Sequence, residues 1–253
     1  MIKIKTFLKK YWLTISIYIG LAVVYLCVTE FKLINPYMFP KADAILKVFS
    51  NSKGTMLLNL FSSIKLMIPS ILISLGVALV GGTILGINPH LREALHPVIY
   101  TFSVIPSILM SPFVLLIAPN FWSASVFLIV YGTVWSTLFA TITGIMTIDK
   151  RYLDKAATLE LYGIKKMVKV ILPAASPSIL SGFVNSLRST FVMLVYAEMY
   201  GAKYGMGFYV KKYAEFGIYE NVWCGFLFMV VVLVIVMQIF EKIKKRLLKW
   251  TIN

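Results

Sequence analysis

Long apolar runs separated by short basic or mixed segments make up most of this 253-residue chain. Crossing the hydrocarbon core of a bilayer takes about 20 apolar residues in a helix, because each backbone amide and carbonyl must then find its partner within the segment. Six runs meet that requirement: 13–29, 66–87, 98–118, 121–147, 176–200 and 222–240. The first two carry no charge, and 226–237 has no polar residue at all. The third contains Pro106 and Pro112, which remove backbone donors, so it is expected to kink or break where protein rather than lipid surrounds it. Within the second, Gly82 and Gly86 are four apart and predict a close helix–helix approach.

Lysine and arginine set the orientation, since basic connecting segments stay on the cytoplasmic side. With the N-terminus inside, the inner segments 1–12, 88–97, 148–175 and 241–253 hold about twice the basic residues of the outer segments 30–65, 119–120 and 201–221. Lys3, Lys5, Lys9 and Lys10 at one end, and Lys242, Lys244, Lys245, Arg246 and Lys249 at the other, read as cytoplasmic anchors. No small-residue cleavage site follows the first run, which is therefore expected to stay in the mature chain as a span.

Composition agrees: 59% hydrophobic residues, 14% charged residues and a mean hydropathy of +0.84 exceed what a water-facing surface tolerates. A net charge of +15 raises the question of nucleic acid, but the charge clusters beside apolar spans, where anionic lipid head groups are the nearer partner. Cys27 and Cys224 read as unpaired packing residues, and His90 and His96 as structural or solvated, with no metal-ligand spacing. The chain has no G-x-x-x-x-G-K-[ST] loop, so it cannot cradle nucleotide phosphates in that manner, and it has no triad or His-Glu-x-x-His pattern.

The polar stretch 148–175 interrupts this picture. From Lys150 to Tyr162 it is rich in helix formers, including Leu153, Ala156, Ala157 and Glu160, and Gly163 is placed to stop the helix through a left-handed cap. A second short helix over 164–171 has Ile164, Met167, Val168 and Ile171 on one stripe and Lys165, Lys166 and Lys169 on the other, with Pro173 ending it. Physical chemistry leaves two readings open. One is a helix whose small residues Ala156 and Ala157 let it enter a groove on a partner; the other is an amphipathic helix lying on the inner leaflet.

A resemblance favours the first. Asp154, Ala156, Leu172 and Pro173 resemble the EAA loop of bacterial ABC-importer permeases, the surface those proteins offer to a separate ATPase. Counting back from Pro173 places Asp154 in the acidic slot, Lys155 in the first Ala slot, Val170 where Ile is usual, and Glu160 where the family usually has Gly; Gly163 is expected to supply the bend instead. Further on, Ala174 to Gly182, then Ala197-Glu198-Met199-Tyr200-Gly201 and Gly205-Met206-Gly207, resemble the sulfonate/taurine/nitrate-type subgroup, as does Ile105-Pro106-Ser107 with Pro112. The similarity covers roughly residues 55 to 240.

The resemblance implies an all-α, polytopic membrane protein with six transmembrane helices, both termini cytoplasmic, and the type I ABC-importer permease fold. Residues 1–54 then form an anchor, first span and external segment, 55–240 the permease core with its coupling loop, and 241–253 a basic tail. It implies a bacterial inner-membrane location, a second permease copy, ATPase subunits that use the ATP, an extracytoplasmic binding protein, and a small solute; relatives of the subgroup also carry thiamine precursors. The chain itself is expected to bind no cofactor and no nucleic acid. Arg188 either faces the translocation path or pairs across the dimer; Glu198 either contacts the binding protein or braces the outer gate, or is an interfacial carboxylate bonded to nearby backbone. A secondary transporter, which usually shows internal repeats not evident here, and a membrane anchor of a larger complex are the alternatives.

Overall fold

The structure is a computed structural model describing residues 2–249, with side chains from Tyr11 onward. Its helices are α1 (Ile2–Glu30), α2 (Ala42–Ile87), α3 (Pro89–Val104), α4 (Ser107–Ile117), α5 (Phe121–Met146), α6 (Lys150–Thr158), α7 (Gly163–Lys166), α8 (Leu172–Gly201), α9 (Met206–Glu215) and α10 (Tyr219–Leu247); a π-helical turn, Met167–Ile171, joins α7 to α8. Among the described residues, five helical segments are long and apolar enough to cross a membrane, and a sixth crossing results if the bent pair α3–α4 counts as one. The expected fourth and sixth spans are recovered as α5 and α10.

Helix α5 lies between α2 and α8, and small residues bring the three backbones together. A Cβ added at Gly82 would stand 2.6 Å from Thr141 Cβ, and one at Gly86 2.9 Å from Ile145 Cβ, as the spacing of these glycines predicts. On the other side of α5, a Cβ at Gly144 would come within 2.8 Å of Ser178 Cβ, and one at Gly182 would overlap Ala140 and stand 2.7 Å from Ser136 C=O. Such close approach matters in a bilayer, where lipid tails are as apolar as leucine and packing must supply the attraction. Hydroxyls then tie the seam. Ser186 Oγ donates to Thr133 C=O (2.6 Å), Ser178 Oγ to Ala140 C=O (2.8 Å) and Thr133 Oγ1 to Ser74 Oγ (3.0 Å).

Several expectations need correction. The second span is part of one 46-residue helix, about 69 Å long at 1.5 Å per residue, so much of the expected external segment 30–65 is helical and the boundary at 54/55 falls inside α2. Pro69 does not break it, and Ser70 Oγ bonds Leu66 C=O at 2.8 Å. Its outer half is held by a second core, where Ile45 and Met56 pack with Met206, Tyr209, Cys224 and Met229. The third span is two helices bent by 88° at Ile105-Pro106. Pro106 thus breaks it as expected, but α3 buries none of its residues in this chain, and α4 buries only Ser107 and Ser111.

Helix α1 is largely exposed and is tied to the rest near its outer end, where Tyr25 O–H donates to Pro40 C=O (2.7 Å) and its ring lies 5.6 Å from that of Trp223. Cys27 and Cys224 are both free. Helix α10 continues to Leu247, so Lys244, Lys245 and Arg246 form its last turn, where cations favour the helix dipole. The side chains of the N-terminal lysines and residues 250–253 lie outside the described residues.

Candidate functional site

The loop between α5 and α8 opens on Asp149, whose side chain caps α6 by accepting from Arg151 N–H at 2.9 Å. The same carboxylate takes a bidentate bond from the Arg151 guanidinium, which holds its pKa down to about 2. The cap therefore stays ionised throughout the physiological range.

The end of α6 falls three residues earlier than the Gly163 cap would place it. Leu161 N–H donates to Ala156 C=O (2.9 Å) and Glu160 N–H to Ala157 C=O (3.0 Å), the bond pair of a Schellman turn. Its left-handed residue is Glu160, at φ +50°. The slot where the family usually has Gly is thus the one whose backbone asks for it. Gly163, at φ +54°, instead opens α7.

Pro173 does not end a helix either. The chain runs helically from Gly163 through the π turn into α8, with Leu172 N–H bonded to Met167 C=O. A proline lacks the N–H for the ordinary bond and clashes with the carbonyl four residues back; a wider turn just before it relieves both demands. Proline at the second position of α8 is then tolerated. Leu172 is half-buried beside Ile145, Ala175 and Ile179.

The two alanines separate. Ala157 is exposed, whereas Ala156 is 1% exposed, packed within its own chain and withdrawn from any partner. Asp154 and Glu160 are exposed. The loop's outward apolar surface is made of residues the motif does not mark: Tyr152, Leu159, Tyr162 (69% exposed) and Ile164 (75%). Large apolar side chains on an otherwise basic, membrane-flanking stretch were the available signal in the sequence.

Glu198 lies at the outer end of α8 and is 1% exposed. Its Oε2 accepts from Gly207 N–H at 2.7 Å, while Asn59 Oδ1 and Ser63 Oγ on α2 accept from the amides of Gly205 and Met206, each at 2.9 Å. These three side chains hold the turn before α9. Gly205 sits at φ +127° with the Glu198 carboxylate where a Cβ would be, so only glycine fits. Buried this way, Glu198 does not offer itself to an external protein.

Arg188 is exposed midway along α8, on a face it shares with Ser181 and Asn185. It lines an otherwise apolar groove of about 440 Å³ between α8, α9 and α10, with Phe191, Val195 and Leu233. Toward the inner side the groove continues to Gln238, Glu241, Lys242 and Lys245. A cation at that depth is expensive against lipid, so this face of α8 belongs against water or protein.

Seam, broken helix and protruding loop together define a multi-pass helical membrane protein. Over residues 76–249 the chain matches the family described as the binding-protein-dependent transport system inner membrane component, and it belongs to that family. It is 27% identical over 179 residues to a Bacillus subtilis protein named as an aliphatic sulfonates transport permease, SsuC, covering 71% of this chain and 65% of that one. A nitrate import permease, NrtB of Leptolyngbya laminosa, is also 27% identical, over 53% of this chain and 48% of its own. The chain thus spans between about half and two thirds of these relatives. In fold it is similar to a chain of the MetNI methionine ABC transporter in an inward-facing conformation, with a TM-score of 0.62, 16% identity, and coverage of 80% of this chain and 99% of that one.

Proposed function

We propose that this chain is the membrane permease subunit of an ATP-driven importer for a small solute of the sulfonate, taurine or nitrate type or a thiamine-precursor-like compound. Two copies pair in the inner membrane with the exposed Arg188 face of α8 toward the path between them, and lipid covers the remaining apolar surface. Each 148–175 loop docks on an ATPase subunit that binds and hydrolyses the ATP, and an extracytoplasmic binding protein delivers the solute. Transport then amounts to an equilibrium between inward-open and outward-open states, biased by contacts made differently at the two ends.

The observation that carries this reading is the apolar surface of Tyr152, Leu159, Tyr162 and Ile164 on a loop that also bears the Asp154, Ala156, Leu172 and Pro173 pattern. Exposed aromatic and aliphatic side chains of this kind anchor protein interfaces. Affinity purification of the tagged chain from its own membranes tests it. A stoichiometric ATPase subunit is expected; transport by the purified chain alone would overturn it.

A further inference from the structure

We propose that the inner part of the groove holding Arg188 is a site for a bifunctional solute, one with an anionic group and a hydrogen-bond donor at opposite ends of a short apolar spacer, as in aminoalkane- or hydroxyalkanesulfonates. This rests on the importer reading above and narrows its solute class, setting the inorganic oxyanions aside.

The site is a cavity of about 640 Å³ between α8 and α10, with Tyr11 of α1 at one side. Leu233, Val234 and Met237 form its apolar wall. Arg188 stands where this cavity joins the outer part of the groove, and Leu233 and Met237 line both parts with it, which places the three at one level along α10. Gln238 and Glu241 follow Met237 by one and four residues, so they stand about 2 and 6 Å further inward at 1.5 Å per residue.

The polar groups at the two ends are of opposite kinds. Arg188 brings N–H donors and no acceptor; Glu241, as a carboxylate, only accepts, and Gln238 adds an amide. Among the described residues none of the three has a hydrogen-bond or ion-pair partner, and Lys245, one turn from Glu241, makes no ion pair with it. Glu241 is half-buried, so a simple anion in this cavity would satisfy Arg188 and leave a like charge close by unanswered. A solute that also carries an ammonium or hydroxyl group meets both ends, and its methylenes cover the wall between them. Lys242 and Lys245 are exposed at the inner mouth. A lipid phosphate beside them would leave Arg188, at the other end, to an acyl chain, at the cost of an unpaired charge in apolar surroundings.

The test uses the full-length chain, with any ATPase that co-purifies, in phosphatidylcholine nanodiscs at constant ionic strength in chloride. Saturation-transfer NMR measures the binding of taurine and of ethanesulfonate, which share a sulfonate and an ethyl chain and differ in the ammonium group. Taurine is expected to bind roughly tenfold more tightly. Glu241→Gln should weaken taurine by roughly tenfold and leave ethanesulfonate unchanged or more tightly bound, whereas Arg188→Gln should weaken both by roughly tenfold or more. Should Arg188→Gln fail to accumulate, Gln238→Leu is read instead, with several-fold weakening of taurine alone expected and an equal effect on both probes counting against the site. Equal affinities for the two probes, no saturable binding of taurine, or a Glu241→Gln variant that weakens both alike overturns it. So does displacement of taurine when phosphatidylethanolamine, which also pairs anionic oxygens with an ammonium group, replaces part of the phosphatidylcholine; the cavity would then belong to a lipid head group. Absence of the ATPase overturns the importer reading instead and leaves these measurements readable.

Discussion

In the α2–α5–α8 seam, small residues stand where backbones meet: Gly82 against Thr141, Gly86 against Ile145, Gly182 against Ala140. In the loop ahead of α8 only one small residue is used that way. Ala156 is packed inside, and the outward surface is Tyr152, Leu159, Tyr162 and Ile164. The seam closes on itself and needs nothing further. The loop holds its own shape with a cap, a Schellman turn and one buried alanine, and leaves its large apolar side chains uncovered. A small residue therefore marks contact, but whether that contact is internal or with another chain depends on what surrounds it.

The largest effect is expected in the seam. Gly182→Leu would drive a side chain into Ala140 and Ser136 C=O, which are backbone-anchored and cannot yield. Overpacking costs about 1–3 kcal/mol where the surroundings can adjust, and more is expected here. The variant should fail to accumulate as a monodisperse species in mild detergent, whereas Gly76→Ala, with open space at its Cβ, should behave as wild type. Equal yields from the two would break the description of the seam.

Ala156→Arg and Ala157→Arg divide the loop's two roles. A charge forced into the Ala156 site is unpaired and buried, at a cost of about 3 kcal/mol or more, so α6 should detach and limited proteolysis should cut within 150–162. Ala157→Arg should leave the loop as protease-resistant as wild type and weaken ATPase retention alone. If both variants keep the loop intact, Ala156 is not an internal contact.

Smaller still is the expected effect of Tyr162→Ser or Ile164→Ser. Truncating an interface anchor weakens binding by about 2 kcal/mol, or roughly 30-fold, with no loss of permease stability. The readout is the ATPase recovered at graded salt and detergent washes. Retention equal to wild type in the double variant would remove this surface from the interface.

Much of this was legible from the sequence, and the exceptions have local causes. Uninterrupted hydropathy located α5 to within one residue and the apolar part of α10, which continues seven residues further into the basic tail, and the Gly82/Gly86 spacing identified one side of the seam. The length of α2 was hidden because the polar residues and lysines before position 66 interrupt the apolar run, while tertiary contacts at Ile45 and Met56 hold the helix through them. Pro173 looked like a terminator because proline normally ends a helix; the π turn that accommodates it leaves no mark on composition. The burial of Ala156 was not readable, since two adjacent alanines look alike until one faces its own chain.

The smallest effect tests the loop's self-sufficiency most directly. Glu160 holds a left-handed conformation, which costs an L-residue with a Cβ about 1–2 kcal/mol relative to glycine. Glycine would remove that strain but add conformational freedom to the unfolded segment, worth about 0.4–1 kcal/mol in the opposite sense. The difference leaves Glu160→Gly about 0.5 kcal/mol more stable at the Schellman turn. Amide exchange at Glu160 and Leu161, whose N–H groups close that turn, should slow by roughly twofold while the seam amides of α5 are unchanged. Faster exchange at these two amides would mean that the Glu160 side chain contributes more to the loop than its backbone strain takes away. The loop would then depend on an exposed carboxylate, as the seam depends on its glycines.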